Sequence, residues 1–117
     1  MSENVIVIKS YAFSVKIVKF CFDMQIKTRE FILSKQLLKS GTSIGANIEE
    51  AQGAISKAEF IAKIQIALKE AKESKYWLRL IIDTAIFNSE EKEKLLTDCI
   101  ELIILLTSIL KTSKGKT

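Results

Sequence analysis

The stretch SGTSIGANIEEA, from Ser40 to Ala51, holds the residue types in this chain best suited to binding a phosphate group. Glycines beside hydroxyl side chains form loops whose backbone amides hold phosphates when a helix follows. However, neither GxxxxGK[ST] nor GxGxxG occurs in the sequence, and these are the spacings that such loops use. The stretch is therefore a binding loop of unknown type, a hinge, or a helix of unusual composition.

Other catalytic chemistry finds little support. The chain contains no histidine, which removes histidine general bases, histidine-activated nucleophiles and most zinc sites. Glu50 and Glu70 could in principle bind metal, as carboxylates do in some helical bundles, but those sites use Glu-x-x-His pairs. We expect no catalytic residue, no metal, no cofactor and no small-molecule substrate, so the protein is predicted not to be an enzyme.

A helix through Ser40–Ala51 needs compensating contacts. Interior glycine, serine, threonine and asparagine together cost roughly 4 kcal/mol relative to alanine, a large share of the 5–15 kcal/mol by which domains are stable. On a helical wheel, Gly41 and Gly45 lie on one edge of an apolar stripe, where they would let another backbone approach. The other edge carries a polar row. This sorting favours a continuous helix, with a break or kink near Gly41 as the alternative. The residues of the polar row are Gln36, Ser40, Ser43, Asn47 and Glu50.

A second polar row follows in the next helical segment, where Lys63, Glu70 and Trp77 are seven residues apart. If the two helices form an antiparallel hairpin that closes near residue 55, Asn47 lies level with Lys63, and Ser40 with Glu70. We therefore predict a polar seam between these helices, or between subunits. The alternative is a wet boundary of ordinary surface charges.

These residues lie on four predicted helices, at about 5–22, 29–54, 57–87 and 90–112. The chain has no proline and only four glycines, so few forced breaks interrupt it. Ser56 with Glu59, and Asn88 with Glu91, have the spacing of capping boxes, and the polar segment DMQIKT is predicted as the first link. We predict a single all-α domain over residues 1–117, an antiparallel up-down four-helix bundle.

The first predicted helix is apolar around most of its circumference. Lys9, Lys16 and Lys19 share one arc of about 80°, and the remaining apolar arc is roughly twice as wide as the stripe a bundle helix needs. We expect one face to join the core and a second face, around Phe13, Ile17 and Phe20, to need another partner. The sequence thus predicts self-association.

Basic residues are enriched near the start, because residues 1–40 hold seven of the 18 lysines and arginines but three of the 14 acidic residues. Positive surfaces attract nucleic acid through salt-dependent phosphate contacts. RNA or DNA is therefore a candidate partner, and ordinary solubility charges are the alternative. The candidate contacts are Lys9, Lys16, Lys19, Lys35, Lys39, Lys72, Lys75 and Arg79.

Cysteine usage and hydropathy indicate a cytoplasmic protein. Cys21 and Cys99 lie within apolar helical patterns and suggest no disulfide framework. The most apolar segment, CIELIILLTSIL, contains Glu101 and falls short of the roughly 20 residues of a membrane span. No signal peptide is expected.

The segment SKQLLKSGTSIGANIEEAQGAISKAEFIAKIQIALKEAKESKYWLRLI resembles a family of bacterial four-helix-bundle proteins first noted in intervening sequences of 23S ribosomal RNA genes. Accessory proteins of diversity-generating retroelements are similar. KSYAFSVKIVKF resembles the family's first helix, so the match covers about residues 4–112. The motif positions are Ser40–Asn47, Glu50 and Ala51, then Lys69, Glu70, Ala71, Glu73, Tyr76, Trp77 and Leu78.

The resemblance implies a homopentameric ring with a basic surface suspected of binding nucleic acid, and it brings no catalytic residues. Two functions stay open. The first is an oligomeric bundle that binds nucleic acid non-specifically. The second is a structural or protein-interaction module with no nucleic-acid role.

Overall fold

The computed structural model describes residues 5–115, which form four helices: α1 Val5–Thr28, α2 Ile32–Gln52, α3 Lys57–Thr84 and α4 Lys92–Gly115. Each helix packs on the next along the chain, and α4 returns against α1 with the sparsest contacts. The diagonal helices, α1 with α3 and α2 with α4, have no Cα atoms within 8 Å of each other. The predicted all-α four-helix bundle is confirmed. None of the helices described is long and apolar enough to cross a membrane.

The first helix is longer than predicted. It ends at Thr28 rather than near residue 22, and DMQIKT belongs to it. The cause is Met24, which is fully buried and extends the core row by one more turn beyond Phe20. The chain turns instead at Arg29, whose φ of 61° is left-handed. α2 begins after it, where the Glu30 carboxylate accepts the backbone N–H groups of residues 32–34 at 2.9–3.0 Å.

The glycine-containing stretch is helical throughout, within the unbroken α2, so the alternative of a break near Gly41 is wrong. Both glycines face α1. A Cβ atom added at residue 41 would lie 2.9 Å from Cγ2 of Ile17, and one added at residue 45 would lie 3.3 Å from the backbone oxygen of Ser10. The glycines therefore allow α1 and α2 to pack closely, which compensates for their low helix propensity.

The predicted caps of α3 and α4 had different outcomes. Ser56 caps α3, since its Oγ accepts the Glu59 N–H at 3.0 Å, while the Glu59 carboxylate accepts the N–H of Ile55 at 3.1 Å. α3 ends at Thr84, three residues before the predicted end, where Ala85 takes a left-handed φ of 53°. Asn88 caps nothing in the residues described; the Ser89 hydroxyl accepts the N–H of residue 91 instead.

The bundle core runs along one side of every helix. On α1 it includes Phe13, Ile17 and Phe20, which are at most 5% exposed. The prediction that these three residues form an uncovered second face is therefore wrong. α1 does carry such a face, but on its opposite side. α1 has two sets of apolar residues at helical spacing, one buried and one exposed. The sequence prediction took the buried set for the exposed one, because the spacing of the two sets is alike.

Candidate interaction surfaces

The uncovered face of α1 is a row of apolar side chains that we call the α1 stripe. Its members follow each other by three or four residues, so they lie within about 80° of the helix circumference. Five are between 37% and 76% exposed, and Val18 is half-buried. The α1 stripe consists of Ile8, Tyr11, Val15, Val18, Phe22 and Ile26.

The α1 stripe is large for a small domain. From residue 8 to residue 26 it extends about 27 Å, and it exposes on the order of 500 Å² of apolar surface, near the upper limit for monomeric proteins. Beside it, between α1 and α2, lies a recess of about 280 Å³ lined by Tyr11, Thr42, Gly45, Ala46 and other residues. The recess is a concave site next to the stripe, into which a side chain of a partner could insert.

Ion pairs connect α1 to α4 on the other flank. Lys9 lies 3.3 Å from Glu101, and Lys16 lies 3.2 Å from Asp98, which Lys94 also approaches at 3.5 Å. The sequence order of these partners shows that the helices are antiparallel. Two of the predicted nucleic-acid contacts are therefore already neutralised, and a phosphate would have to compete with carboxylates for them.

The remaining predicted contacts form no ion pair within residues 5–115. On α2, the ammonium group of Lys35 lies 6.0 Å from the centroid of the Phe31 ring, and Lys39 is exposed four residues later. Lys19 is exposed beside the α1 stripe. These three cations lie on different helices from the group on α3.

The outer side of α3 carries a group that we call the α3 strip: Lys69, Lys72, Lys75, Tyr76 and Arg79. All five are exposed except Lys75, which is half-buried. Tyr76 is 52% exposed and packs edge-to-face on Trp77, with 5.1 Å between the ring centroids. Three of the four cations were predicted from the sequence as contacts. Lys69, three residues before Lys72 and also exposed, was not among the predicted residues.

The polar seam between α2 and α3 exists with different partners. Lys63 pairs with Glu50 at 2.6 Å rather than with Asn47, and the hydrogen bond and charge of Glu50 raise the pKa of Lys63. Asn47 donates within its own helix to the Ser43 carbonyl at 2.8 Å. The predicted alignment of α2 with α3 was right to within one helical turn. The long Lys63 side chain, however, pairs with the Glu50 carboxylate three residues beyond Asn47.

Deeper in the seam, Ser40 meets Ser74 rather than Glu70. Their hydroxyl oxygens are 2.8 Å apart, and both side chains are fully buried. Glu70 contributes only its backbone carbonyl, which accepts the Ser74 hydroxyl at 2.9 Å. Trp77 donates its indole N–H to Glu73 at 3.1 Å. The short serines allow the close helix approach that a glutamate side chain would prevent.

Reactive chemistry is not evident in the described part of the chain. Residues 5–115 contain no group of three histidine, cysteine or acidic side chains placed to hold a metal ion. Burial raises the pKa of both Cys21 and Cys99 to about 12, so their thiols stay protonated near neutral pH. Cys99 donates to the Ala71 carbonyl at 3.2 Å. Both cysteines act as core residues.

Comparison with known proteins gives the family. The model of the family described as 23S rRNA-intervening sequence protein matches residues 2–108. A crystal structure of a protein with unknown function, from the S23 ribosomal protein family of Bacteroides thetaiotaomicron, is similar at 48% identity and a TM-score of 0.87. That match covers 91% of this chain and 98% of the other. No curated protein matches. The chain belongs to the 23S rRNA-intervening sequence protein family, as its resemblance indicated.

Proposed function

We propose that this member of the 23S rRNA-intervening sequence protein family is a non-enzymatic helical bundle that assembles with copies of itself through the α1 stripe. The observation that carries the proposal is the exposed apolar row on α1, opposite the face that joins the core. The non-enzymatic part rests on the histidine-free sequence. Five subunits, the number implied by the family resemblance, is the expected stoichiometry.

The size of the stripe fits the core of an interface rather than a whole one. Burying about 500 Å² of apolar surface contributes on the order of 10 kcal/mol at about 25 cal/mol per Å². Association costs about 4–15 kcal/mol in lost freedom, so the stripe alone roughly balances that cost. A standard interface buries about 800 Å² on each partner. The polar residues beside the stripe, including Lys19 and Glu49, are placed to supply the rim.

Subunit mass tests this proposal directly. We expect native mass spectrometry and light scattering to give a multiple of 13.2 kDa for the natural chain. The double variant Tyr11→Glu, Phe22→Glu places two charges in the stripe and should give 13.2 kDa. Ile55→Glu is a control for a glutamate at an exposed apolar residue, because Ile55 is 94% exposed and lies between α2 and α3, outside the stripe. A monomeric natural chain, or a double variant of undiminished mass, would refute the proposal.

Nucleic-acid binding is a second candidate function. It is favoured by the six predicted cations, out of eight, that form no ion pair within the residues described, and by the net charge of +4. Such binding would be non-specific and weaken with salt. A filter-binding titration with RNA and DNA at low and moderate salt tests it. Absence of retention at low salt would leave the bundle as a structural or protein-interaction module.

A further inference from the structure

We infer that the α3 strip binds the phosphate backbone of single-stranded nucleic acid, and that assembly through α1 makes this binding multivalent. The inference rests on the proposed self-association. Beyond self-association, it states which surface contacts the polyanion and why affinity should depend on the number of subunits. Three observations support it: the spacing of the cations, their lack of carboxylate partners and their position relative to α1.

The α3 strip is an evenly spaced row. Its four cations follow each other at intervals of three or four residues, from Lys69 to Arg79, and extend about 15 Å along the helix. A strand stacked as in a duplex places roughly four phosphates over that length at about 3.4 Å each along the axis, and a more extended single strand places fewer. Tyr76 lies among the cations with half of its surface exposed, and exposed aromatic rings are stacking platforms for unpaired bases.

The charge of the strip is not cancelled. Lys9 and Lys16 are paired with carboxylates across the α1–α4 boundary, whereas no strip cation has such a partner within residues 5–115. Neighbouring Glu73 points its carboxylate at the Trp77 indole. Asp83, which follows Arg79 by four residues, is exposed at the far end. A phosphate reaching the strip therefore displaces no protein carboxylate.

The position of α3 connects binding to assembly. α1 and α3 are a diagonal pair of the bundle, with no Cα atoms of the two helices within 8 Å of each other, so the α1 stripe and the α3 strip lie on different sides. In a ring the stripe meets a different surface of the next copy, and we expect that surface to lie outside the α3 strip. Each added subunit then adds one more strip. A single strip of a few phosphate contacts binds weakly, with Kd values of roughly 10⁻⁴–10⁻⁶ M. Linked strips gain about 10²–10⁴-fold through effective concentration.

Four proteins separate the contributions: the natural chain, Lys72→Gln with Arg79→Gln, Lys9→Gln with Lys16→Gln, and Tyr11→Glu with Phe22→Glu. Fluorescence anisotropy with a labelled mixed-sequence RNA of about 30 nucleotides, long enough to reach several strips, measures Kd at several salt concentrations. Circular dichroism and native mass spectrometry establish folding and subunit number for each. The two lysine or arginine pairs are matched controls, since each removes two positive charges.

We expect the α3 pair of substitutions to lower affinity by at least ten-fold. It should also reduce the slope of log Kd against log salt by about 1.4 for each strip that the RNA reaches, or about 0.7 for each phosphate that a strip no longer neutralises. The α1 pair should change affinity by less than about two-fold, because Lys9 and Lys16 are already paired with Glu101 and Asp98. The stripe variant keeps the α3 strip but should bind at least ten-fold more weakly, since it is monomeric.

Inorganic polyphosphate distinguishes phosphate contacts from base contacts. Tyr76→Ala should weaken binding to RNA roughly ten-fold and leave binding to polyphosphate unchanged. Equal losses for both ligands would overturn the role of Tyr76 in stacking. A natural chain that does not bind RNA at low salt, or a larger loss from the α1 pair than from the α3 pair, would overturn the inference about the strip.

The two proposals fail in different ways. If the stripe variant is monomeric and binds RNA as tightly as the natural chain, multivalency is wrong and self-association stands. If the variant retains its mass, the proposed self-association surface is wrong, whatever its affinity for RNA. The mass measurement therefore judges the first proposal and the affinity measurement judges the second.

Discussion

Gly41→Ala tests why α2 stays helical through an unfavourable sequence. Alanine gains about 1 kcal/mol in helix propensity over glycine. However, its Cβ atom would lie 2.9 Å and 3.0 Å from the two Cγ atoms of Ile17, a fully buried and β-branched side chain. Overpacking of this kind costs about 1–3 kcal/mol. We expect a net loss of about 1 kcal/mol in the free energy of unfolding.

A double-mutant cycle isolates this clash. Ile17→Ala removes both Cγ atoms, so Gly41→Ala in that background should stabilise the fold by up to about 1 kcal/mol, its propensity gain. Ile17→Val keeps both Cγ atoms and is the matched control, in which Gly41→Ala should still destabilise. Urea denaturation at one fixed protein concentration measures all six proteins of the cycle, since subunit association makes apparent stability depend on concentration.

The coupling between residues 17 and 41 should therefore be about 1–3 kcal/mol with alanine at position 17 and near zero with valine. If Gly41→Ala changes stability equally in all three backgrounds, the glycine is not retained for close packing on α1. If it stabilises the natural chain, the explanation of α2 given above is refuted.

Three further predictions concern single features of the fold. Ala85→Gly should raise the free energy of unfolding by about 0.5–1 kcal/mol, because the left-handed φ of 53° strains alanine but not glycine; an unchanged or lower melting temperature would contradict this. Ser74→Ala should cost about 1 kcal/mol in the same assay, and adding Ser40→Ala should cost almost nothing more, since Ser40 then has only a carbonyl at 3.4 Å; additive losses would disprove the pairing. Stability should fall as pH rises from 9 towards 12, because thiols of pKa 9.0 when unfolded reach about 12 when folded and the unfolded chain therefore loses its protons first. Replacing Cys21 or Cys99 by alanine should reduce that pH slope by up to about 1.4 kcal/mol per pH unit in denaturation experiments, and an unchanged slope would exclude ionisation of that thiol as a cause.

The four-helix fold was predictable because each helix has a sorted pattern. α2 is the clearest example, with glycines on one edge and hydroxyl or amide groups on the other. The end of α1 was not predictable from the polar letters of DMQIKT, since Met24 alone among them reaches the core. One buried side chain at helical spacing outweighed four polar ones, because polar residues on an exposed face do not oppose a helix.

The interaction surfaces were predictable only in part, because they depend on helix register. The sequence places Lys9 and Lys16 on one arc of α1, but their neutralisation depends on Asp98 and Glu101, more than eighty residues away. Likewise, Ser40 pairs with Ser74 because the packing of α2 on α3 places their hydroxyl oxygens 2.8 Å apart. Local spacing determines which side chains share a face, whereas contacts between helices determine which of them remain available.

The rotation of α1 about its axis explains how one apolar face came to be inside and the other outside. On one flank, Gly45 lies so near the Ser10 backbone that an added Cβ atom would be 3.3 Å from the Ser10 oxygen, a tighter distance than ordinary van der Waals contact. On the other flank, the ion pairs of Lys9 and Lys16 with α4 need both lysines at the bundle surface. Turning α1 to bury the α1 stripe would break both contacts at once. The same residues that orient α1 towards the core therefore keep the stripe directed outwards, where only a partner can cover it.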